Sequence, residues 1–275
     1  MTGSRRLGVW ANGHGEFVTV GSTANARGYD FDSGGFTLGV DYRFSNHFAA
    51  GVLFNYTRTD ASLAGNGSLE SDAVRGGIYA SVFGGGAYVN AYIGGGYNDY
   101  DSRRDGLQGA ARGSTEGSEF NAFISAGYDK KIGNLKIGPV ASYQYTSTDV
   151  DSFRERGSLA PLRIAAMDGE SSRTNLGARA SFDWHIGSVV LVPEIRATWQ
   201  HEFGDVEQTT DARFAFGGPS FAVNSARVGR DSFQLTTGFS LQITPDIAAY
   251  AFYEGELGRS NYDSHNVMGG VRANF

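Results

Sequence analysis

Apolar and polar side chains alternate at every second position through most of this chain, a period that fits strands and excludes amphipathic helices. The clearest run is 189–202. There Val189, Leu191, Pro193, Ile195, Ala197 and Trp199 interleave with Val190, Val192, Glu194, Arg196, Thr198 and Gln200, and the second face is polar from Glu194 onward. Residues 233–243 repeat it, with Phe233, Leu235, Thr237, Phe239, Leu241 and Ile243 opposite Gln234, Thr236, Gly238, Ser240 and Gln242. Similar faces begin at Phe36, Val74, Ala87, Phe120, Leu135, Leu176, Ile247 and Val267, and weaker ones lie near 6–20 and 47–60.

Such strands have one face for each of two solvents. No apolar run approaches the roughly 18 to 20 residues of a membrane helix. A transmembrane barrel shows the same lack, because lipid-facing and lumen-facing residues average out along each strand. Forty glycines, 13% aromatic residues and only five prolines suit many strands joined by flexible turns. At 275 residues, one barrel domain is the expected organisation.

The connections alternate in length. Short turns fall at Ser45-Asn46-His47, Gly84-Gly85-Gly86, Ile132-Gly133-Asn134, Gly187-Ser188 and Thr244-Pro245-Asp246. Between them lie longer polar stretches near 20–32, 60–71, 102–117, 150–171 and 204–228, and a brief one at 258–262. Outer-membrane barrels place short turns in the periplasm and longer loops outside, so this pattern predicts about twelve strands with both ends on one side. The expected fold is therefore all-β, a transmembrane antiparallel up-and-down barrel of 12 strands. Residues 1–5 read as a linker or fragment remnant and 6–275 as the barrel. The start, Met1-Thr2-Gly3-Ser4, carries no apolar targeting region, so such a segment is expected to have been removed.

With the apolar faces outward, the other parity lines a lumen. It holds Asp41, Arg43, Arg75, Asp129, Arg173, Arg179, Asp183, Glu194, Arg196, Glu254, Glu256 and Arg272. Both signs are present, which suits water and internal pairing; an Arg or Lys facing lipid at mid-membrane would cost about 2–4 kcal/mol. Internal salt bridging that holds the barrel's shape is the first expectation for these residues, and contact with a threaded segment the second. Gly77, Gly94, Gly96, Gly127 and Gly177 share the inward parity; easing of strand curvature is preferred for them over making room for Tyr79, Tyr88 and Tyr92. Aromatics near strand ends read as interfacial girdles: Phe44, Phe48, Phe83, Trp184 and Phe275 toward the periplasm, and Tyr56, Tyr97, Tyr145 and Trp199 toward the outside. Trp10 shares parity with Asn12, His14 and Glu16 and points inward if the first strand is regular.

The final residues, from Val267 to Phe275, end on an aromatic preceded by apolar residues at alternate positions. This resembles the C-terminal signal read by the barrel-assembly machinery, with Gly270, Val271, Ala273 and Phe275 at the matching positions. Ala273 is smaller than usual there, and Met268 stands where a polar residue is common. The first strand near Leu7-Gly8-Val9-Trp10-Ala11, the run 29–42 and the stretch Val192-Pro193-Glu194-Ile195-Arg196-Ala197-Thr198-Trp199 together resemble the autotransporter translocator domain over roughly 6–275. The resemblance implies an outer-membrane protein of a Gram-negative bacterium that delivers and anchors an N-terminal passenger. Its implied partners are outer-membrane lipid, the passenger with its linker helix, the barrel-assembly machinery and periplasmic chaperones. A monomer is expected.

Other chemistry finds little support. A formal charge of −6 argues against a nucleic-acid partner, and the lack of cysteine removes disulfides and thiolate metal sites. No cofactor, metal or ATP site is expected. The glycine triplets at 84–86 and 94–96 precede no helix, so neither is a phosphate loop. Among the five histidines, His14 shares a strand face with Glu16 and suggests an acid-base pair, but no serine in a nucleophile context accompanies it. His47, His185, His201 and His265 have turn or interfacial readings. Arg103-Arg104-Asp105 and Arg154-Glu155-Arg156 fall in expected loops, where solvated charge is the plain reading and gating or glycan contact the alternative. The rival functions are a stand-alone porin or adhesin and a barrel-embedded hydrolase.

Overall fold

The structure, a computed structural model, describes residues 6–24, 26–63 and 65–275. Twelve long strands close into one antiparallel barrel. In chain order they are β1 (Leu7–Val20), β2 (Tyr29–Ser45), β3 (Phe48–Leu63), β4 (Gly67–Gly84), β5 (Ala87–Gly106) and β6 (Gly109–Tyr128), then β7 (Leu135–Val150), β8 (Met167–Phe182), β9 (Val189–Glu202), β10 (Asp231–Gln242), β11 (Ile247–Leu257) and β12 (Tyr262–Asn274). Short segments Lys130–Ile132 and Trp184–Ile186 prolong β6 and β8 toward their turns. Each strand pairs with the next, and β12 pairs back onto β1 from Gly8↔Asn274 to Val20↔Tyr262. Closure matters because hydrocarbon offers no partner to an unpaired backbone edge.

The barrel is inside-out relative to a water-soluble protein. Ile78 is 59% exposed and Val271 55%, whereas Asp41 is only 5% exposed. The largest fully buried side chains are Gln200 and Glu202. The outward faces read from the alternation stand as expected: Phe36, Leu38, Val40, Tyr42 and Phe44 on β2, and Phe120, Ile124 and Tyr128 on β6, are all exposed. That distribution is stable only when the outer solvent is apolar.

One rim carries the short turns. Gly85 and Gly86 form a two-residue turn with φ of 62° and 90°, left-handed values that match the strand twist and strain any side chain but glycine or Asn. Asn46-His47, Gly133-Asn134 and Gly187-Ser188 make equally brief links, and 243–246 joins β10 to β11.

The opposite rim differs from expectation. Residues 60–71 and 102–117 are largely strand rather than loop: β3 and β4 run to Leu63 and from Gly67, and β5 meets β6 through Leu107 and Gln108 alone. A crossing needs only about 9–11 residues per strand, and β5 has 20. Above the membrane the outward face meets water instead of lipid, so the apolar alternation stops while backbone pairing continues. The two long connections form a small second sheet in the order Phe221–Asn224, Thr209–Phe214, Leu162–Ile164, Phe153–Arg154. An Arg112↔Arg156 bridge joins it to β6.

Candidate functional site

The lumen is the candidate site, and strand parity builds it. Near the short-turn rim, Arg272 forks the Asp41 carboxylate at 2.8 and 2.6 Å. Tyr79 donates its hydroxyl to the same carboxylate at 2.7 Å, and Trp10 donates its indole N–H to Tyr79 at 2.6 Å. Trp10 therefore points inward, as a regular first strand requires. Arg43 faces the same mouth, donates to the backbone carbonyls of Ser45 and Asn46 and stacks on Phe83, 5.4 Å from the ring centre. Phe83 thus lines the lumen mouth and does not belong to the lipid-facing girdle; its parity is that of Tyr79 and Ser81, and a cation covers its ring. A cavity of about 860 Å³ opens here between Asp41, Arg43, Tyr79, Phe83 and Arg272.

Halfway up one wall, Arg75 forks Glu119, one arm at 2.9 Å. Glu119 also accepts from Asn98 at 3.3 Å and Asn121 at 2.5 Å, while Arg75 donates to Asn55 at 3.2 Å. Across the tube, Arg179 forks Asp129 at 3.0 and 2.7 Å and lies 4.8 Å over the Tyr88 ring. Glu194 sits 3.9 Å from Arg179 and 3.3 Å from Arg196. Lys136 holds Asp183 at 2.8 Å, and Thr236 donates to Glu254 at 2.8 Å. Tyr88 Oη, Asn175 Oδ1 and Arg196 Nε are buried with no hydrogen-bond partner among the described residues, beside a cavity of about 90 Å³.

Toward the long-loop rim, Glu202 is 1% exposed and fully satisfied. It accepts from Arg173 and Ser171 and from the backbone N–H of Ser172, each at 2.7 Å, and from that of Gly204 at 2.8 Å. Glu256 accepts from Gln200 at 3.0 Å and from Arg259 at 3.4 Å. Burial first, and the neighbouring Arg173 second, push the loop residue Arg259 below the usual guanidinium range.

Half of the twelve residues expected inside from parity pair with one another. Asp41 meets Arg272, Asp129 meets Arg179, and Glu194 meets both Arg179 and Arg196. Arg75, Arg173, Asp183 and Glu256 use Glu119, Glu202, Lys136 and Arg259, which the sequence reading left out of the lumen set. Glu119 and Lys136 were legible, since each alternates with outward apolar residues. Arg259 lies in a loop, where no period marks it.

The inward glycines divide in a way the curvature expectation missed. A Cβ on Gly77 or Gly94 would sit 2.4 or 2.1 Å from the Tyr92 ring or hydroxyl, and one on Gly127 would sit 2.2 Å from the Tyr88 hydroxyl, so these three make room for tyrosines. Gly96 and Gly177 instead lie against neighbouring backbone, with Val74 O at 2.5 Å and Ala197 O at 2.0 Å from the Cβ position.

At the closing strand, Val271 is exposed outward, Ala273 shares its parity, and Gly270 lies inward beneath Tyr250. Phe275 is 65% exposed, and its backbone exchanges hydrogen bonds with Leu7 at 2.8 and 3.2 Å. His14 and Glu16 do not pair. His14 bonds Thr57 at 3.2 Å, and Glu16 accepts from Ser264 at 3.0 Å. Among the described residues, no cluster of three or more His, Cys, Asp or Glu is placed to hold a metal.

A closed cylinder of strands, apolar outside and lined by compensated charge, is a transmembrane β-barrel of the kind found in Gram-negative outer membranes. Residues 9–254 match the autotransporter beta-domain family, and the chain belongs to that family. It is an outer-membrane translocator barrel. An extracellular serine protease of Serratia marcescens is 29% identical over 273 residues, covering 98% of this chain but 26% of that protein. The chain thus spans about a quarter of the length of that relative. The translocator domain of autotransporter NalP from Neisseria meningitidis has the same fold, with a TM-score of 0.79 at 15% identity, over 100% of this chain and 90% of that one. So has the beta domain of the Bordetella autotransporter BrkA, at a TM-score of 0.77 and 20% identity, over 98% and 100% of the two chains.

Proposed function

We propose that the barrel delivers and anchors one passenger polypeptide attached ahead of residue 6, that it acts as a monomer, and that it performs no catalysis of its own. The observation carrying this reading is the lumen: a polar tube most of whose charges are paired within the wall. An extended or helical segment can pass such a wall without meeting a strong fixed charge of either sign. In the same reading, the charges from Asp41 to Arg272 hold the tube open. Gly270, Val271, Ala273 and Phe275 form the signal recognised by the barrel-assembly machinery, after periplasmic chaperones have carried the unfolded chain. A helical linker occupies the lumen once transport ends. The separation of His14 from Glu16 supports the absence of an acid-base pair.

The test is surface display. An epitope-tagged domain fused ahead of residue 6, behind a signal peptide, should become accessible to external protease in intact cells, while the barrel stays in the outer-membrane fraction. A tag held in the periplasm by a correctly folded barrel would refute the translocator reading for this chain. Ester or peptide hydrolysis by purified barrel that disappears with His14→Ala and Glu16→Gln would refute the non-catalytic part.

A further inference from the structure

Six arginines stand in register on the outward face of the extracellular extension. Arg103 on β5 pairs with Arg112 on β6, Arg112 bridges to Arg156, and Arg156 shares a strand face with Arg154. Arg154 then pairs with Arg163, and Arg163 with Arg213. All six are exposed, and none makes a side-chain hydrogen bond or ion pair among the described residues. The ladder crosses neighbouring strands for about 19 Å, at roughly 4.8 Å per step.

Like charges placed directly opposite in an antiparallel pair destabilise it. Four successive Arg–Arg pairings therefore work against the sheet they sit in. In a chain of net charge −6, such a row is also far from the average surface. The nearby acids form no ion pair with it among the described residues. Asp101 and Asp105 flank Arg103 on β5 but accept from Ser114 at 2.6 Å and Asn66 at 3.2 Å, and Asp211 lies beyond Arg213 with no side-chain contact to it. Arg104, with the opposite parity, shows what a satisfied arginine looks like here: it forks Glu155 at 2.7 and 2.6 Å on the inward side.

We infer that this ladder binds the acidic core saccharide of the surrounding surface glycolipid, through its phosphate and carboxylate groups. Guanidinium forks match both groups bidentately, and a row at strand spacing offers one fork every few ångströms. Height selects the source. Tyr97, at the outer aromatic girdle, is 79% exposed, and Arg103 lies six residues further along the same face. Allowing for strand tilt, that is about 15 Å above the hydrocarbon boundary, beyond the lipid anchor and level with the sugars attached to it.

The probe is fluorescent lipopolysaccharide with a phosphorylated core, titrated into purified detergent-solubilised barrel, beside its dephosphorylated form and heparin. Wild-type protein should bind the phosphorylated form, more weakly at high salt. The combined variant R103S/R112S/R163S/R213S should lose at least about tenfold in affinity. Dephosphorylation should cost wild type a similar factor, and the matching Arg→Lys set, which keeps the charge but not the fork, should bind between wild type and the serine variant. Heat-modifiable migration verifies that each variant is folded, and Arg163→Ser alone, in the middle of the ladder, gives a milder check. Undiminished binding by the folded serine variant would overturn the inference, as would insensitivity to dephosphorylation. Heparin binding tighter than that of lipopolysaccharide would overturn it in favour of an external sulfated glycan. These titrations use barrel alone, so passenger display can fail or succeed independently of them.

Discussion

Arg272 on the last strand and Asp41 on the second strand, 231 residues apart in sequence, clasp each other across the seam where the barrel closes. The pair spans β1, whose Trp10 reaches the same carboxylate through Tyr79. The first and last strands are thus held by side chains as well as by their backbone ladder. Asp41→Asn should remove the charge that compensates Arg272 and destabilise the folded barrel by about 1–3 kcal/mol. The readout is the temperature at which heat-modifiable migration is lost. Adding Arg272→Met should recover part of the loss, because the uncompensated cation is then gone. A single variant as heat-resistant as wild type would show that the clasp contributes nothing.

Two glycines separate steric need from tolerance. Gly177 faces the lumen with backbone 2.0 Å from its Cβ position, whereas Gly13 faces outward with nothing nearer than 3.7 Å. Gly177→Ala forces β8 away from β9 and should sharply lower the yield of folded barrel. Gly13→Ala should fold like wild type. For Gly77 the nearest obstacle is the Tyr92 ring, with the Ile93 carbonyl next at 2.7 Å, so Gly77→Ala should be rescued by Tyr92→Ala only in part. Refolding yield into detergent micelles checks all four variants.

The sequence disclosed the two faces of each strand because hydrocarbon enforces the alternation wherever a strand crosses it. Phe36 to Phe44 and Phe120 to Tyr128 were read correctly for that reason. The same rule fell silent above the membrane, where residues 102–117 turn their outward face to water rather than lipid and continue as strand without an apolar pattern. It also could not choose partners. Parity placed Arg75 and Arg173 inside, but which acid meets each depends on strand stagger, which composition does not encode. Glu119 escapes the pattern because the apolar face that marks its strand begins only at Phe120, although β6 starts at Gly109. Phe83 was given to the girdle on its position near a strand end, when parity already assigned it to the lumen.

Glu119 offers a test of the interior. Its carboxylate holds Arg75 at the middle of the wall beside a cavity of about 370 Å³. Glu119→Gln keeps the shape and leaves the Arg75 charge facing the water column. In planar-bilayer recordings, the variant should shift the empty barrel's ion selectivity toward anions relative to wild type. An unchanged reversal potential in a salt gradient would mean that this part of the lumen does not govern conduction.

Phe275 makes the last contact of the closing ladder. Its N–H donates to Leu7 O at 2.8 Å, and its carbonyl accepts from the backbone N–H groups of Arg6 at 2.9 Å and Leu7 at 3.2 Å. Its ring stays exposed, so it adds nothing to packing within the barrel. Deleting Phe275 should therefore affect assembly more than stability. In cells, the deletion should leave little heat-modifiable barrel in the outer-membrane fraction. The same variant refolded in detergent should melt within a few degrees of wild type, since only terminal hydrogen bonds are lost. Arg227→Ser, in the loop before β10, is the control and should assemble normally. If the deletion lowers detergent melting and cellular yield to the same extent, the residue acts through stability, and its role as a recognition signal fails.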